Sequence, residues 1–507
     1  MPRTSTRDLT DGAIAPTLLV FALPILAGNV LQSLNGSVNA VWVGRFLGEE
    51  ALVATANANN IMFFLLGSVF GVGMAATILV AQAMGAKDLV QARRVIGSSA
   101  SFFGAVSLLV AAAGLPLARH ILAWMGTPEA SLPLAEAYLQ VIFLAVPFLY
   151  MFAFISAVLR GAGDTRTPFV FLALVVVIDI IVNPVLIFGL GPFPEMGIAG
   201  SAGATLVANA CSLAALLAWL RWRRHPLWIP RSELRAYLPD FGIVRALVVK
   251  GIPMGLQMIL VSLAMLVMIS MVNAHGVDTA SAYGATLQLW TYVQMPAMAM
   301  GAACTSMAAQ NVGAGRWDRV DGTMRVGIGF NFLLTGILIA PLLLFGPAIL
   351  SLFLPPGSPS IAEGQHINLI AIWSFLFFGV NFVVSGVVRS TGAVVPPLLI
   401  LVLALWGIRV PFANLLQPVL GADAIWLSFP VSALCAMLMS LAYYRWGRWR
   451  EARMLAGDRD TDAMAIPAEV PAQPPAPVAD ACPRAADDRK SGGRTVPAAV
   501  TSASGRD

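Results

Sequence analysis

One carboxylate stands inside a long apolar stretch of this chain, in the segment VVVIDIIVNPVL at positions 175–186. Asn183 follows Asp179 by four residues, so the two side chains share one face of a helix. Pro184 has no backbone N–H, which leaves a carbonyl of the preceding turn without its usual donor. A carboxylate, an amide and a free carbonyl on one face offer the oxygen atoms that a proton or a hard cation such as Na+ would use.

Other polar side chains recur at helical spacing in the first apolar stretch, and one more stands in the sixth. They are Asn29, Gln32, Asn35, Ser37 and Asn39 in the first stretch and Thr205 in the sixth. Amides and hydroxyls in membrane helices also hold neighbouring helices together by hydrogen bonds. Asn39 and Thr205 therefore have two open interpretations, as ligands of a cation or as packing residues.

The chain has 507 residues, of which 58% are hydrophobic and only 11% are charged. Soluble domains carry about 25% charged residues, and apolar stretches of about 20 residues span a bilayer as helices. Such stretches recur along this chain, so Asp179 lies in a predicted membrane span. A carboxylate at the centre of a span costs about 2.5–3.5 kcal/mol on insertion scales and usually faces a cavity or a partner. We therefore favour a functional role for Asp179 over a structural one, such as capping a neighbouring helix.

Twelve apolar segments are predicted to cross the membrane. Their approximate bounds are 15–42, 52–84, 98–125, 134–159, 168–190, 197–220, 246–273, 279–308, 325–354, 366–388, 395–419 and 424–445. Arginine and lysine gather in the loops on one side, whereas the loops on the other side hold only Arg45 and Arg119. By the positive-inside rule the basic side is cytoplasmic. We predict a multi-pass protein of the inner, cytoplasmic membrane with both termini in the cytoplasm.

The chain also repeats itself. AQAMGA at 81–86 returns as AQNVGA at 309–314, a shift of 228 residues, and Pro24 matches Pro253, a shift of 229. Parallel repeats of six spans are typical of secondary transporters, with the cavity between the halves. The predicted organisation is a cytoplasmic N-terminus at 1–14, a six-helix lobe at 15–220, a basic cytoplasmic linker at 221–245, a second six-helix lobe at 246–450 and a disordered Pro/Ala-rich cytoplasmic tail at 451–507.

Several functional classes are disfavoured by composition and motifs. No glycine is followed directly by lysine, so there is no P-loop and we expect no direct use of ATP. HExxH and GxSxG are absent, so we predict neither an enzyme nor a cofactor beyond a coupling ion. The net charge of +5 reflects membrane topology, and no nucleic-acid partner is expected. A duplicated channel or a membrane enzyme remains the alternative to a transporter at this point.

The chain resembles the multidrug and toxic compound extrusion (MATE) family over about residues 8–450. The stretches are LPILAGNVLQSLNGSVNAVWVGRFLG (23–48), ILVAQAMGAKDLVQARR (78–94), VLRGAGDTRTPF (158–169), MGIAGSAGATLVAN (196–209), GIRVPFANLL (407–416) and GADAIWLSFPVSA (421–433). The resemblance implies an all-α polytopic membrane protein, with twelve helices in two pseudo-symmetric six-helix lobes around a V-shaped central cavity. It also implies export of organic cations or other amphiphiles, driven by inward flow of H+ or Na+.

By that resemblance, a cation site in the N-terminal lobe joins the first, fifth and sixth spans. The family pattern has an Asp in the first span and Asn followed by Asp in the fifth. This chain has Asn39 at the first position, and its fifth-span pair reads Asp179 then Asn183. The predicted ion-coupling residues are Asp179, Asn183, Asn39 and Thr205. A metal site is expected only if Na+ is the coupling ion, on Asp179, Asn39 and Asn183.

A substrate cavity is also predicted, and its candidate residues are Gln32, Asn35, Gln257, Met258, Tyr292 and Arg409. Methionine-rich surfaces suit varied ligands, although a methionine or aromatic stripe on a membrane helix also serves packing or lipid contact. Gln257 stands where some relatives have a carboxylate. Arg409 resembles an arginine of the family's eleventh span, just before Pro411. It is either a pathway residue or a structural group that bonds the carbonyls of a broken helix.

We therefore predict a monomeric secondary efflux antiporter that exports amphiphilic, chiefly cationic drugs or metabolites in exchange for H+ or Na+. Its expected partners are small amphiphilic substrates and membrane lipids. A lipid-linked oligosaccharide flippase of the same superfamily is one alternative, although it would need a wide cationic cavity for a pyrophosphate. A scaffold or receptor that has lost transport is the other, because the usual first-span carboxylate is missing.

Overall fold

The computed structural model describes residues 7–129, 131–355 and 357–455, and these residues form sixteen α-helices and no strand. The predicted disordered tail lies outside the described residues, apart from 451–455. The six helices of the first half are α1 (Ile14–Phe46), α2 (Glu49–Gly85), α3 (Leu89–Trp124), α4 (Leu132–Gly161), α5 (Arg166–Phe188) and α6 (Gly197–Trp222). Each contains one of the predicted apolar segments or overlaps nearly all of it.

The second half has the same order of spans but its helices are more often broken. It comprises α7 (Phe241–Asn273), α8 (Val277–Val293), α9 (Met295–Gly313), α10 (Trp317–Leu344), α11 (Gly346–Leu350), α12 (Pro359–Ala371), α13 (Ser374–Arg389), α14 (Val395–Val402), a π-helical segment (Leu403–Arg409), α15 (Val410–Leu420) and α16 (Asp423–Trp446). Pro296 and Pro347 lie in the first turns of α9 and α11, where a missing N–H is tolerated. The α12–α13 pair forms one span that bends by 43°.

Among the described residues, eight of these helices are long and apolar enough to cross a membrane by themselves. The continuous run Val395–Leu420, which contains α14, the π-helical segment and α15, makes a ninth span, and the α12–α13 pair makes a tenth. The two remaining predicted spans fall on α2 and on the α8–α9 pair. The prediction of an all-α polytopic fold with two lobes of six spans is confirmed. Twelve spans are built from sixteen helices because four spans are broken. Proline follows the breaks at the start of α9 and α11, and the π-helical segment separates α14 from α15.

The repeated AQ motifs lie where the two halves meet. A Cβ on Gly85 of α2 would collide with the carbonyl of Gln310 on α9, and a Cβ on Gly313 would collide with the carbonyl of Gln82. The side chain of Gln82 donates to the carbonyl of Ser390 at 2.7 Å, and that of Gln310 donates to the carbonyl of Gly161 at 2.9 Å. Each copy of the motif thus supplies a small residue for close helix contact and an amide that reaches across to the other half.

These contacts lie at one end of the bundle, which we call the basic end and define by the connections at 86–88, 162–165, 314–316 and 390–394. The segment before α1 reinforces the closure there. Leu9 is fully buried, its N–H donates to the side chain of Gln310 at 3.1 Å, and its carbonyl accepts from Asn311 at 3.2 Å. The N–H of Arg7 donates to the carbonyl of Gly163 in the first half at 3.3 Å. The two halves are therefore closed together at the basic end.

Candidate ion-coupling site and its counterpart

Helix α5 positions the intramembrane carboxylate. The helix is stabilised at its start because the Asp164 carboxylate accepts the N–H of Thr167 at 3.0 Å and the hydroxyl of Thr167 at 2.6 Å. It ends at Gly189, whose φ of 64° is readily adopted by glycine. Between these ends, Asp179 and Asn183 are only 3% and 1% exposed. The spacing of four residues therefore places both side chains on the face that packs inside the first half, as the sequence predicts.

Asp179 is bonded by side chains from two other helices. Asn35 of α1 donates its Nδ2 to Asp179 Oδ2 at 3.0 Å. Thr205 of α6 donates its hydroxyl to Asp179 Oδ1 at 3.3 Å. Helices α1, α5 and α6 thus converge on one carboxylate, and no basic side chain in the described part of the chain forms an ion pair with it.

A second polar group lies one turn along the same helices and is centred on Asn39. Its Oδ1 accepts the Nδ2 of Asn183 at 3.0 Å and the hydroxyl of Ser201 at 2.7 Å. The side chain of Tyr138, from α4, lies beside Asn39 and close enough to Asp179 to interact with its charge. The predicted ion-coupling residues therefore lie together as two bonded pairs, Asp179 with Thr205 and Asn39 with Asn183.

Two amide oxygens at this site have no hydrogen-bond partner, although both are buried. They are Asn35 Oδ1 and Asn183 Oδ1. The orientation of Asn35 is determined by the carboxylate, which only accepts, so the amide nitrogen must face Asp179 and the oxygen must face away. Leaving a buried polar atom unpaired costs about 1–3 kcal/mol. A carboxylate with two free amide oxygens nearby is a set of acceptors that a cation would satisfy.

The residues predicted to line a substrate cavity lie in different surroundings. Asn35 belongs to the Asp179 cluster, whereas Gln32 on the same helix is exposed. Gln257 is 9% exposed and its Oε1 accepts Nη1 of Arg389 at 3.2 Å. Arg389 directly follows the predicted span 366–388, which puts it in a basic loop by sequence, yet it is buried at the end of α13. Met258 and Tyr292 are half-buried.

Met258 packs on α2, where its Cβ lies opposite Gly67, and Tyr292 sits in the last turn of α8. In the part of the chain that the structure describes, no hydrogen bond joins Gln257, Met258 or Tyr292 to the Asp179 cluster. That all of these residues line one cavity stays a prediction.

Arg409 is the last residue of the π-helical segment in the second half. Its Nε donates to the hydroxyl of Ser432 on α16 at 2.9 Å. Its guanidinium carbon lies 4.5 Å from the centroid of the Phe429 ring, in cation–π geometry. Within the described ranges, its guanidinium thus bonds to a side chain, and no hydrogen bond from it reaches a carbonyl of the broken helix.

Sequence reasoning missed two residues of the Asp179 cluster. Ser201 precedes Thr205 by four residues and so shares its face of α6, a spacing that could have revealed it. Tyr138 comes from α4, and no pattern in the sequence relates it to Asn39. Its place in the cluster depends on how α4 packs beside α6.

Comparison with known proteins identifies the family. A family model described as MatE matches residues 24–185 and, a second time, 253–415. The chain is also 35% identical over 442 residues to the probable multidrug resistance protein YoeA of Bacillus subtilis strain 168, covering 87% of this chain and 95% of the relative. This chain belongs to the MATE family.

Further members and structures agree with that assignment. The chain is 33% identical over 449 residues to the probable multidrug resistance protein YpnP of the same Bacillus subtilis strain, covering 88% of this chain and 98% of the relative. A crystal structure of a MATE protein in complex with MaD3S matches with a TM-score of 0.79 and 21% identity, over 87% of this chain and 97% of that one. At this identity the structural match establishes the fold of the MATE family and nothing finer.

The polar cluster of this chain differs from the MATE family pattern described above. Asn39 stands where the resemblance places a carboxylate, and the structure pairs it with Asn183 on α5. The one carboxylate, Asp179, is instead bonded by Asn35, four residues earlier on α1. The acid has moved by one helical turn relative to Asn39, and it keeps a partner on the same first helix.

Proposed function

We propose that this MATE-family protein is an antiporter in which Asp179 binds and releases the coupling cation, H+ or Na+, during export of amphiphilic, chiefly cationic compounds. The observation that carries the proposal is a buried carboxylate without a basic partner, beside two buried amide oxygens that lack donors. Asn183, Asn39 and Thr205 complete the set of oxygens. Both H+ and Na+ suit these groups, since either neutralises the carboxylate.

The site links ion binding to a conformational change through the cost of burying charge. When the site opens to water, Asp179 can ionise at little cost, but closing it with a bare carboxylate is unfavourable. A bound cation removes that penalty, so the ion shifts the equilibrium between the two conformations. A membrane potential adds about 2.3 kcal/mol per charge per 100 mV to inward ion movement.

We further propose that the basic end is cytoplasmic, that both termini lie there, and that the protein acts as a monomer in the inner membrane among its lipids. The support is the arginine and lysine in and beside the connections of that end, among them Lys87, Arg93, Arg160, Arg166 and Arg316. Closure of the halves at the basic end by Gln82, Gln310 and Leu9 then makes the described conformation an outward-facing one.

Orientation is tested by cysteine labelling in intact cells. Arg224→Cys in the linker between α6 and α7 should resist a membrane-impermeant maleimide, whereas Arg45→Cys at the opposite end should react. The endogenous Cys211, Cys304, Cys435 and Cys482 are first replaced by serine or alanine. Labelling of Arg224→Cys but not Arg45→Cys in intact cells would reverse the proposed orientation.

The proposed activity is tested with purified protein in liposomes. A fluorescent organic cation is loaded, a pH gradient or a Na+ gradient is imposed separately, and the initial rate of uphill transport is measured. Asp179→Asn keeps the size and the hydrogen-bonding capacity of the side chain but cannot ionise. It should lose gradient-driven transport, while Asp278→Asn, the same change at an exposed helix start, should retain it.

The two alternative functions give different results in that experiment. A transport-inactive scaffold would show no response to either gradient in the wild type. A lipid-linked oligosaccharide flippase would leave the organic cation where it is and scramble a labelled pyrophosphate-linked lipid. If Asp179→Asn pumps the cation uphill as well as the wild type, with the same ion dependence, Asp179 is structural.

A further inference from the structure

The second half contains a partly exposed cation inside a predicted span, Arg409, that the ion-coupling site does not use. Arg409 forms one hydrogen bond, from Nε to Ser432, and its two Nη nitrogens have no acceptor among the described residues. No carboxylate lies within ion-pair distance of Arg409 in the same described ranges. Charged groups inside a membrane protein usually pair with one another or face a pathway. Arg409 has a ring beneath it but no anion beside it.

A group of aromatic residues surrounds this arginine. Phe429 lies under the guanidinium, Tyr283 of α8 interacts with its charge, and the centroids of the Tyr283 and Phe429 rings are 6.5 Å apart. Trp290 lies 5.3 Å from Phe429 and 6.0 Å from Tyr283, again between centroids. Trp426 lies 5.4 Å from Tyr283. We call these four rings with Arg409 the arginine–aromatic cluster.

Three further polar atoms in or next to this cluster are buried without partners. They are the hydroxyl of Tyr283, Nε1 of Trp426 and Nδ2 of Asn368. The orientation of Asn368 is fixed, because its Oδ1 accepts Nε1 of Trp290 at 2.9 Å and an indole N–H can only donate. Tyr283, Trp426 and Asn368 are at most 2% exposed.

All of these unpartnered groups are donors of hydrogen bonds: two guanidinium nitrogens, a hydroxyl, an indole N–H and an amide N–H. The site around Asp179 has the opposite character, since its unpartnered atoms are amide oxygens. Donors without acceptors inside a low-dielectric protein favour a ligand that brings oxygen acceptors and negative charge. Aromatic rings around them favour a ligand with a flat apolar body.

We propose that Arg409, with the hydroxyl of Tyr283, binds the acidic group of an aromatic substrate, and that the rings of Phe429 and Trp290 contact its apolar body. This inference deepens the proposed export function by naming a substrate class, namely amphiphiles that carry a carboxylate as well as, or in place of, a cationic group. It concerns substrate binding alone, so it can be tested independently of ion coupling at Asp179.

The position of Arg409 in the repeat supports the proposal. The repeat shift of 228 or 229 residues carries Asp179 to Gly407 or Ile408, immediately before Arg409. The same shift carries Thr205 to Ala433 or Leu434, next to Ser432. The bond from Arg409 to Ser432 thus occupies nearly the same place in the second half as the bond from Thr205 to Asp179 in the first.

The backbone at this position is also unusual. Residues Leu403–Arg409 form a π-helical segment inside the eleventh span, and Pro411 follows in the first turn of α15. Short π segments within α-helices occur frequently at functional sites, because they change the direction of side chains at low cost. Arg409 keeps partial exposure while Tyr283 and Trp426 are closed off. An incoming acid would therefore meet the guanidinium first and reach the tyrosine hydroxyl after the rings separate.

The test measures binding to the purified full-length protein in detergent, with no ion gradient. Equilibrium dialysis compares 2-naphthoate with its neutral amide, 2-naphthamide, which has the same ring system. Wild-type protein should bind the acid at least about tenfold more tightly than the amide, because a hydrogen bond to a charged group is worth more than one between neutral groups. Arg409→Gln should remove this preference. Tyr283→Phe, which deletes one oxygen atom, should weaken naphthoate binding by about three- to tenfold.

Arg445→Gln serves as the charge control, because this exposed arginine near the end of α16 loses the same charge far from the cluster. It should bind naphthoate as the wild type does. Each variant is first shown to elute as a single species, and Tyr283→Phe gives an answer even if Arg409→Gln does not fold. Equal binding of the acid and the amide by the wild type would overturn the proposal, as would unchanged naphthoate binding by folded Arg409→Gln or by Tyr283→Phe.

Discussion

The two halves of this protein place polar clusters at nearly equivalent positions of a repeated fold, yet the clusters have opposite polarity. In the first half, helices α1, α5 and α6 surround the carboxylate of Asp179, and the unpartnered atoms there are oxygens. In the second half, α8, α16 and the π-helical segment surround the guanidinium of Arg409, and the unpartnered atoms there are donors. The two halves therefore have polar side chains at equivalent backbone positions. The charge of the side chain at each position determines the charge of the ligand that can bind there.

The comparison also shows how differently the two charges are supported. Asp179 is bonded by an amide and a hydroxyl, so its ionised form has donors already in place. Arg409 contacts the ring of Phe429 and donates to the hydroxyl of Ser432. An aromatic face attracts a cation but does not neutralise its charge. We infer that the first site is suited to repeated gain and loss of a small cation. The second site is suited to a larger ligand that supplies the anionic group missing beside Arg409.

The largest expected effect concerns the position of the acid. Asp179→Asn should reduce gradient-driven transport in liposomes by at least about a hundredfold, since it removes the carboxylate around which the described cluster is built. Adding Asn39→Asp to that variant restores a carboxylate one turn away, beside Asn183 and Ser201. The double variant should recover part of the transport with a changed dependence on pH or Na+. A double variant with no more activity than Asp179→Asn would mean that the place of the acid, and not its presence, governs coupling.

A smaller effect is expected when the second cluster is altered. Arg409→Gln should reduce transport of an aromatic amphiphile that carries both an amine and a carboxylate by about tenfold, the value of one charged hydrogen bond. Transport of the corresponding methyl ester, which is a simple cation, should change by less than about threefold. The measurement is a pair of initial rates under one gradient. Equal losses for both compounds would indicate damage to the transport cycle and not to recognition of the acid.

The smallest expected effects come from two tyrosines, each beside one cluster. Tyr138→Phe removes the hydroxyl beside Asn39, which keeps its bonds to Asn183 and Ser201, so the ion concentration for half-maximal transport should shift by about three- to tenfold. Its naphthoate affinity should stay that of the wild type. Tyr283→Phe should show the reverse pattern, with weaker naphthoate binding and an unchanged ion requirement. The two polar clusters would have to be treated as one coupled site if each variant changed both properties.

Much of the architecture follows from the sequence alone. Apolar segments of membrane length must become helices, because no other structure satisfies a single chain's backbone groups inside lipid except a closed barrel. The repeat of Pro24 at Pro253 and of AQAMGA at 81–86 as AQNVGA implies two similar halves. A lone carboxylate in such a segment is costly, so Asp179 could be selected as the ion-coupling candidate from its position alone.

Only the tertiary structure decided which side chains meet. Helical spacing tells which residues share a face, but the rotation and depth of one helix against another depend on packing between distant segments. That is why the sequence could propose both Asn35 and Asn39 yet could not tell which one bonds Asp179. The same limit explains Tyr138, which enters the first cluster from α4, and Arg389, which the sequence placed in a loop but which is buried against Gln257.

The second cluster shows this limit most clearly. Sequence reasoning found Arg409 as a deep cation, but its neighbours come from α8, α12 and α16, which lie far apart along the chain. The absence of an anion beside it, among the described residues, and the surplus of donors around it are properties of the packed helices together. The sequence by itself therefore determined the spans and the two halves, and it proposed Asp179 with several candidate partners in the first cluster but only Arg409 in the second. The polarity of the surroundings was decided by packing, because unpaired atoms exist only once every helix has taken its place.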